Sequence, residues 1–249
     1  MIKAIKKESN EIIKGRILGL LWKHVVLILL MLLMLVPAVV IVGIAGGISG
    51  SEEVIVNIVS TIVSAFIVAL AYGFMYNNVM TLVNEDGEIP SVFKSISFSI
   101  SYISKVFLLF LAIYIIVELC GTFALVAGAL LEPLMVMLMF LIYDKECKDC
   151  GLIDILSKSV DLVKDKYFKV FRDLILIMLL AFAIAFFQSL MLGGVCYLLI
   201  FMGISLQPVM FVSVIISAII NIGFQYRVLI GHYKYYLELK ESKELLKEE

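Results

Sequence analysis

Charged side chains are scarce in this chain. They make up 16% of its 249 residues, while 63% are hydrophobic. A soluble domain carries about a quarter charged and about half apolar residues. No water-soluble fold of this size hides so much apolar surface, so the composition calls for a bilayer. Histidine and cysteine are rarer still, with 2 and 4 residues. The chain has no HExxH pair, no phosphate-binding glycine loop and no basic–aromatic surface for nucleic acid. Cys147-Lys-Asp-Cys150 is a lone CxxC pair. Structural zinc needs four ligands, and Cys120 and Cys196 stand far along the chain. No metal or other cofactor is expected, and no nucleic-acid partner. Without a cluster of His, Asp and Glu, the chain reads as non-enzymatic.

What is present is a set of long charge-free runs. Residues 25–51, 54–84 and 174–226 hold no Asp, Glu, Lys or Arg, and 106–143 holds only Glu118 and Glu132. A helix crossing the hydrocarbon core takes about 20 mostly apolar residues. Six spans follow: 25–42, about 55–75, two within 106–143 with a tight turn near Gly121-Thr122, 174–192 and 209–230. The first run follows a charged segment, is long enough to span and ends without a small-residue cleavage site. It is expected to be a span and not a signal peptide.

Six spans put all 20 basic residues on one side. The opposite loops hold only Glu52 and Glu53 and the uncharged stretch 193–207. Lys and Arg are retained in the cytoplasm, so both ends are expected there. A five-span layout would split the basic clusters across the bilayer. The same lysines attract anionic headgroups, which makes membrane lipids the first expected partners. Stretch 193–207 is long for a loop, so it either dips into the bilayer or belongs to long, tilted helices.

The cytoplasmic segments repeat. Gly87-Glu-Ile-Pro-Ser-Val-Phe-Lys94-Ser95 leads to Lys105-Val-Phe107, and Gly151-Leu-Ile-Asp-Ile-Leu-Ser-Lys158-Ser159 leads to Lys169-Val-Phe171 at matching offsets. Each precedes a hairpin, as does the N-terminal segment ending in Trp22-Lys23-His24. The chain therefore reads as an all-α integral membrane protein. Its six transmembrane helices form three hairpins, each preceded by a cytoplasmic amphipathic helix. It forms one membrane domain over 1–249, with an amphipathic N-terminus at 1–24 and a bundle at 25–231. Cytoplasmic helices are expected at about 89–104 and 151–165, and a charged tail at 232–249. In the second cytoplasmic helix Leu152, Ile155, Leu156, Ser159, Val160 and Val163 share a face opposite Asp154, Lys158, Asp161 and Lys164. In the first, Ile89, Val92, Phe93, Ile96, Ile100 and Ile103 follow helical spacing. Residues 95–102 also alternate as a strand would, but a lone strand has no partner there, and Pro90 suits a first helical position.

Leu152-Ile-Asp-Ile-Leu-Ser-Lys-Ser159-Val-Asp-Leu162-Val-Lys164, followed by Tyr-Phe-Lys-Val-Phe, resembles a segment of the membrane domain found beside glycerophosphodiester phosphodiesterases. Stand-alone bacterial multi-pass relatives share that segment. The likeness spans about 85–230 in layout and is sharp over some twenty residues. Ile155 stands where Ala is usual in that family, and Asp165 where Gly is common. The resemblance implies a bacterial cytoplasmic-membrane protein and carries no phosphodiesterase activity over.

Few residues offer chemistry. A turn near Gly121 puts Glu132 halfway along the fourth span, beside Pro133, at a cost on the order of 3 kcal/mol on insertion scales. A later turn would put Glu132 at the outer surface and exchange its place with Glu118. Asn77, Asn78, Asn221 and Gln225 fall toward the cytoplasmic half, either lining a vestibule or joining helices through amide hydrogen bonds. Lys158, Ser159 and Lys164 mark the cytoplasmic helix motif. Ser159 has no His or Lys base placed beside it by sequence, so packing and not nucleophilic attack is its expected role. Cys120 and Cys196 both fall near outer ends, where a disulfide is geometrically open to them. The leading function class is transport or handling of an apolar or amphiphilic ligand such as a lipid or a membrane-active peptide. The competing class is a structural or accessory subunit beside another membrane protein or a second copy.

Overall fold

The computed structural model describes residues 11–27, 29, 40, 43, 52–84, 89–120, 122–203 and 205–248. Among them, all regular structure is helical. Helix α1 is Ile17–Leu27, α2 Glu52–Asn84, α3 Val92–Cys120 and α4 Thr122–Tyr143. A 3-10 turn, Lys145–Cys147, leads to α5, Leu152–Val163. A second, Lys164–Lys166, leads to α6, Tyr167–Phe201, and α7 is Leu206–Glu248. Four stretches are long and apolar enough to cross a membrane: Thr61–Asn84, Val92–Ile113, Leu152–Phe201 and Gln207–Lys243. Most of the first expected span, 25–42, lies outside the described residues.

Local chemistry sets the helix ends. Ser91 caps α3, its hydroxyl accepting the Lys94 amide at 3.2 Å. Pro90 thus stands just ahead of the cap, not at the first helical position. The strand alternative for 95–102 is not adopted, and the amphipathic segment runs unbroken into the apolar part of α3. At α5 the Asp154 carboxylate accepts the Gly151 amide at 3.2 Å, one arm of a capping box. α3 ends at Cys120 and α4 begins at Thr122, and Gly121, in the expected turn, lies outside the described residues. Within stretch 193–207, α6 runs to Phe201 and α7 begins at Leu206, with Gly203 at φ +85 between them. α7 holds 43 residues, about 65 Å at 1.5 Å each, roughly twice the hydrocarbon thickness of about 30 Å. Residues 232–248, expected as a charged tail, continue this helix.

The chain forms two compact units. One comprises Met1–Trp22, Leu82–Ile89 and Lys166–Glu249, the other Lys23–Thr81 and Pro90–Asp165. In the first, α6 and α7 pack against each other. Its core joins Val170, Leu174, Ile177 and Ala181 to Tyr226, Ile230, Tyr233 and Tyr236. Gly231 allows the closest approach, since a Cβ there would stand 2.6 Å from Ile177 Cγ2. In the second unit α4 packs against both α3 and α5. α5 buries Ile155, Ser159 and Val163, while Leu156 and Val160, expected on that face, are exposed. The buried stripe is narrower than spacing alone indicated.

The apolar stripe of α3 is only partly covered, with Ile89, just ahead of the helix, and Val92, Ile96 and Ile103 half-buried. Ser95, Ser99, Tyr102 and Val106 are buried, whereas Phe93 is 84% and Ile100 56% exposed. Sequence spacing groups Phe93 and Ile100 on the apolar side, which a helix in water would bury. Small and hydroxylated residues face the neighbouring helix instead.

Candidate functional site

The most polar part of the second unit's interior is a seam between α2 and α3. Along α2, Ala65, Ala69, Gly73, Asn77 and Thr81 recur every fourth residue and all are buried. At Gly73 the helices meet backbone to backbone. A Cβ there would stand 2.8 Å from Ser99 Cβ and Oγ and 3.0 Å from Ser99 Cα. That approach lets the amides one turn further on reach across. Asn77 Nδ2 donates to Ser95 Oγ at 3.0 Å, and Ser95 Oγ donates to Asn78 Oδ1 at 3.1 Å. Ser99 Oγ turns back to the Ser95 carbonyl at 2.8 Å. Of the two roles open to Asn77 and Asn78, the hydrogen bonds joining helices are the ones seen.

Aromatic rings fill the adjoining space. Tyr76 lies 4.8 Å from Phe140 and 5.2 Å from Tyr143 between ring centroids. Tyr102 and Phe98 approach Tyr143 at 5.5 and 5.6 Å. Such offset and edge-on ring pairs pack tightly, each contributing about 0.5–1.5 kcal/mol beyond area burial. The Tyr143 hydroxyl is buried, with no hydrogen-bond partner among the described residues. A seam of amides, hydroxyls and rings joins these helices.

The other expected site residues lie apart from it. Glu132 sits near the middle of α4, half-buried beside the exposed Leu131, without a hydrogen bond or ion pair among the described residues. Glu118 is two residues from the end of α3, and its side chain lies outside the described set. Asn221 and Gln225 are on α7 in the first unit, Asn221 exposed and Gln225 half-buried. Ser159 is buried and donates to the Leu156 carbonyl at 2.7 Å. Lys164 pairs with Asp161 at 2.8 Å on the exposed side of α5. Lys158 reaches back to the CxxC turn, 3.6 Å from Cys147 Sγ and 3.3 Å from Cys150 Sγ. Cys147, Cys150 and Cys196 are free thiols, so Cys196 is not in a disulfide, and the Cys120 side chain lies outside the described set.

Sequence reading missed a polar group in the first unit. Asp173 is 1% exposed. Tyr235 donates to its Oδ2 at 3.1 Å, and Arg172 Nη2 and Nε donate to Oδ1 at 2.9 and 3.1 Å. Asn84 Nδ2 donates to Tyr233 Oη at 2.9 Å in the same unit. The one signal available was that Asp173 is the last charge before the run 174–226. Compared with known proteins, the chain matches no family model, no curated protein and no solved structure.

Proposed function

We propose that this chain is a six-span membrane protein, three hairpins with both ends in the cytoplasm, acting as a structural or accessory subunit of a membrane assembly without enzymatic activity. The observation that carries this reading is the seam. Asn77 and Asn78, two of the amides that would line a pathway, bond to Ser95 instead, and aromatic rings fill the space beside them. The far half of the α6–α7 hairpin adds support. Phe186, Phe187, Leu190 and Met191 on α6 and Phe211 and Val214 on α7 are all exposed, an apolar surface for lipid and neighbouring helices. The likeness of 152–171 to the phosphodiesterase-associated membrane domain points to the bacterial cytoplasmic membrane as its place.

A second reading, the handling of a lipid or membrane-active peptide, rests on Glu132. A half-buried carboxyl mid-helix, without a partner among the described residues, is a feature of ligand and ion paths. Extraction into polymer-bounded discs that keep the native lipid, followed by intact mass measurement, tests the first reading. Particles holding a second copy, or another membrane protein at fixed stoichiometry, are expected. Single copies surrounded only by lipid would count against a subunit role.

A further inference from the structure

The CxxC turn plays no part in either reading, yet its geometry is specific. Cys147 closes the 3-10 turn that follows α4, and the Cys150 amide donates to the Cys147 carbonyl at 3.2 Å. Lys105, on α3, clamps this backbone, its ammonium donating to the Cys147 carbonyl at 3.1 Å and the Lys148 carbonyl at 2.6 Å. From α5, Lys158 brings one ammonium to both sulfurs. The two thiols differ: Cys147 is 3% exposed, while Cys150 is partly open. Burial pushes the Cys147 thiol above its ordinary range, and the nearby Lys158 opposes that rise.

We propose that Cys147 and Cys150 form a reactive dithiol site for small disulfides, with Lys158 stabilising the negative charge that develops on sulfur. Cys150, the more accessible thiol, loses its proton to solvent and attacks one sulfur of a disulfide RSSR. The Cys150–S–S–R bond forms and RS⁻ leaves, taking a proton from solvent. Cys147 then gives up its proton and attacks Cys150 Sγ, forming the Cys147–Cys150 bond and expelling the second RS⁻, which is protonated in turn. Two protein thiols are oxidised to one disulfide, and one RSSR is reduced to two RSH. Exchange of this kind proceeds through thiolate attack, and its rate follows thiolate character and access. A lysine within reach of both sulfurs serves both steps.

The test uses the full chain in lipid discs, with Cys120→Ser and Cys196→Ser, and glutathione disulfide as the probe. The expected product has lost two hydrogens by intact mass and keeps no glutathione. Cys147→Ser, which removes the resolving thiol, should instead trap a stable glutathione adduct on Cys150. Lys158→Met should slow the reaction about tenfold or more, while Lys158→Arg, which keeps the charge, should stay within about threefold of the parent. A lasting adduct on the parent protein, no reaction at all, or an unchanged rate in Lys158→Met would overturn the proposal. The parent and Cys147→Ser masses decide the matter even if the Lys158 variants do not fold.

Discussion

Gly73→Ala is expected to destabilise the protein by about 1–3 kcal/mol, the usual cost of forcing atoms into a packed interior. The new methyl would meet Ser99 Cβ and Oγ at 2.8 Å and Ser99 Cα at 3.0 Å. A rotamer change can move the hydroxyl, but Cα is backbone, so α2 and α3 must separate. Separation stretches the Asn77–Ser95–Asn78 bonds, each worth about 0.6 kcal/mol on average between membrane helices. Gly193→Ala and Gly194→Ala are the controls, because nothing lies within 4 Å of a Cβ at either position. There alanine should be neutral or stabilising by up to about 1 kcal/mol, through helix propensity. Thermal unfolding midpoints in one detergent compare the three. A Gly73 variant as stable as its controls would mean that the helices do not meet there.

Asp173→Ala should cost about 1.5–3 kcal/mol, the range for a hydrogen bond to a charged group. It removes the acceptor used by the Tyr235 hydroxyl, on a ring that is 2% exposed. Tyr235→Phe should cost a similar amount, because a carboxylate that is 1% exposed then loses a donor. The two losses come from one contact, so the double variant should fall well short of their sum. The double-mutant cycle reads this coupling directly, and full additivity would show that the bond contributes nothing. Arg172 is not a substitute donor of equal weight, since its side chain is 65% exposed and screened by solvent.

Helices and apolar runs were legible in the sequence because length and charge-free stretches are enough to define them. A break near Gly121 was expected because the run 106–143 is long for one span; one helix ends at Cys120 and the next begins at Thr122, while Gly121 itself lies outside the described residues. Which residues of α3 are buried was not legible. Spacing reveals a face, but Ser95 and Ser99 are buried through hydrogen bonds and a close approach that only the neighbouring helix supplies. Gly73 was missed because one glycine in an apolar run looks like any other until Ser99 stands opposite. The bond from Tyr235 to Asp173 joins residues 62 apart, and only the pairing of α6 with α7 brings them together. The CxxC pair was visible, while Lys158 read as one more charge on a polar face. It is the fold of α5 back toward the turn that brings its ammonium to the sulfurs.

The most direct test of a filled, structural interior is chemical accessibility at Glu132, using Glu132→Cys in a variant whose four native cysteines are replaced. Sealed vesicles are treated with small polar thiol reagents from each side, and separately with a lipid-soluble one. A subunit packed as proposed leaves this cysteine untouched by the polar reagents from either side, yet open to the lipid-soluble one. Labelling by a small polar reagent would place water beside Glu132, contradict the structural role and put ligand handling first.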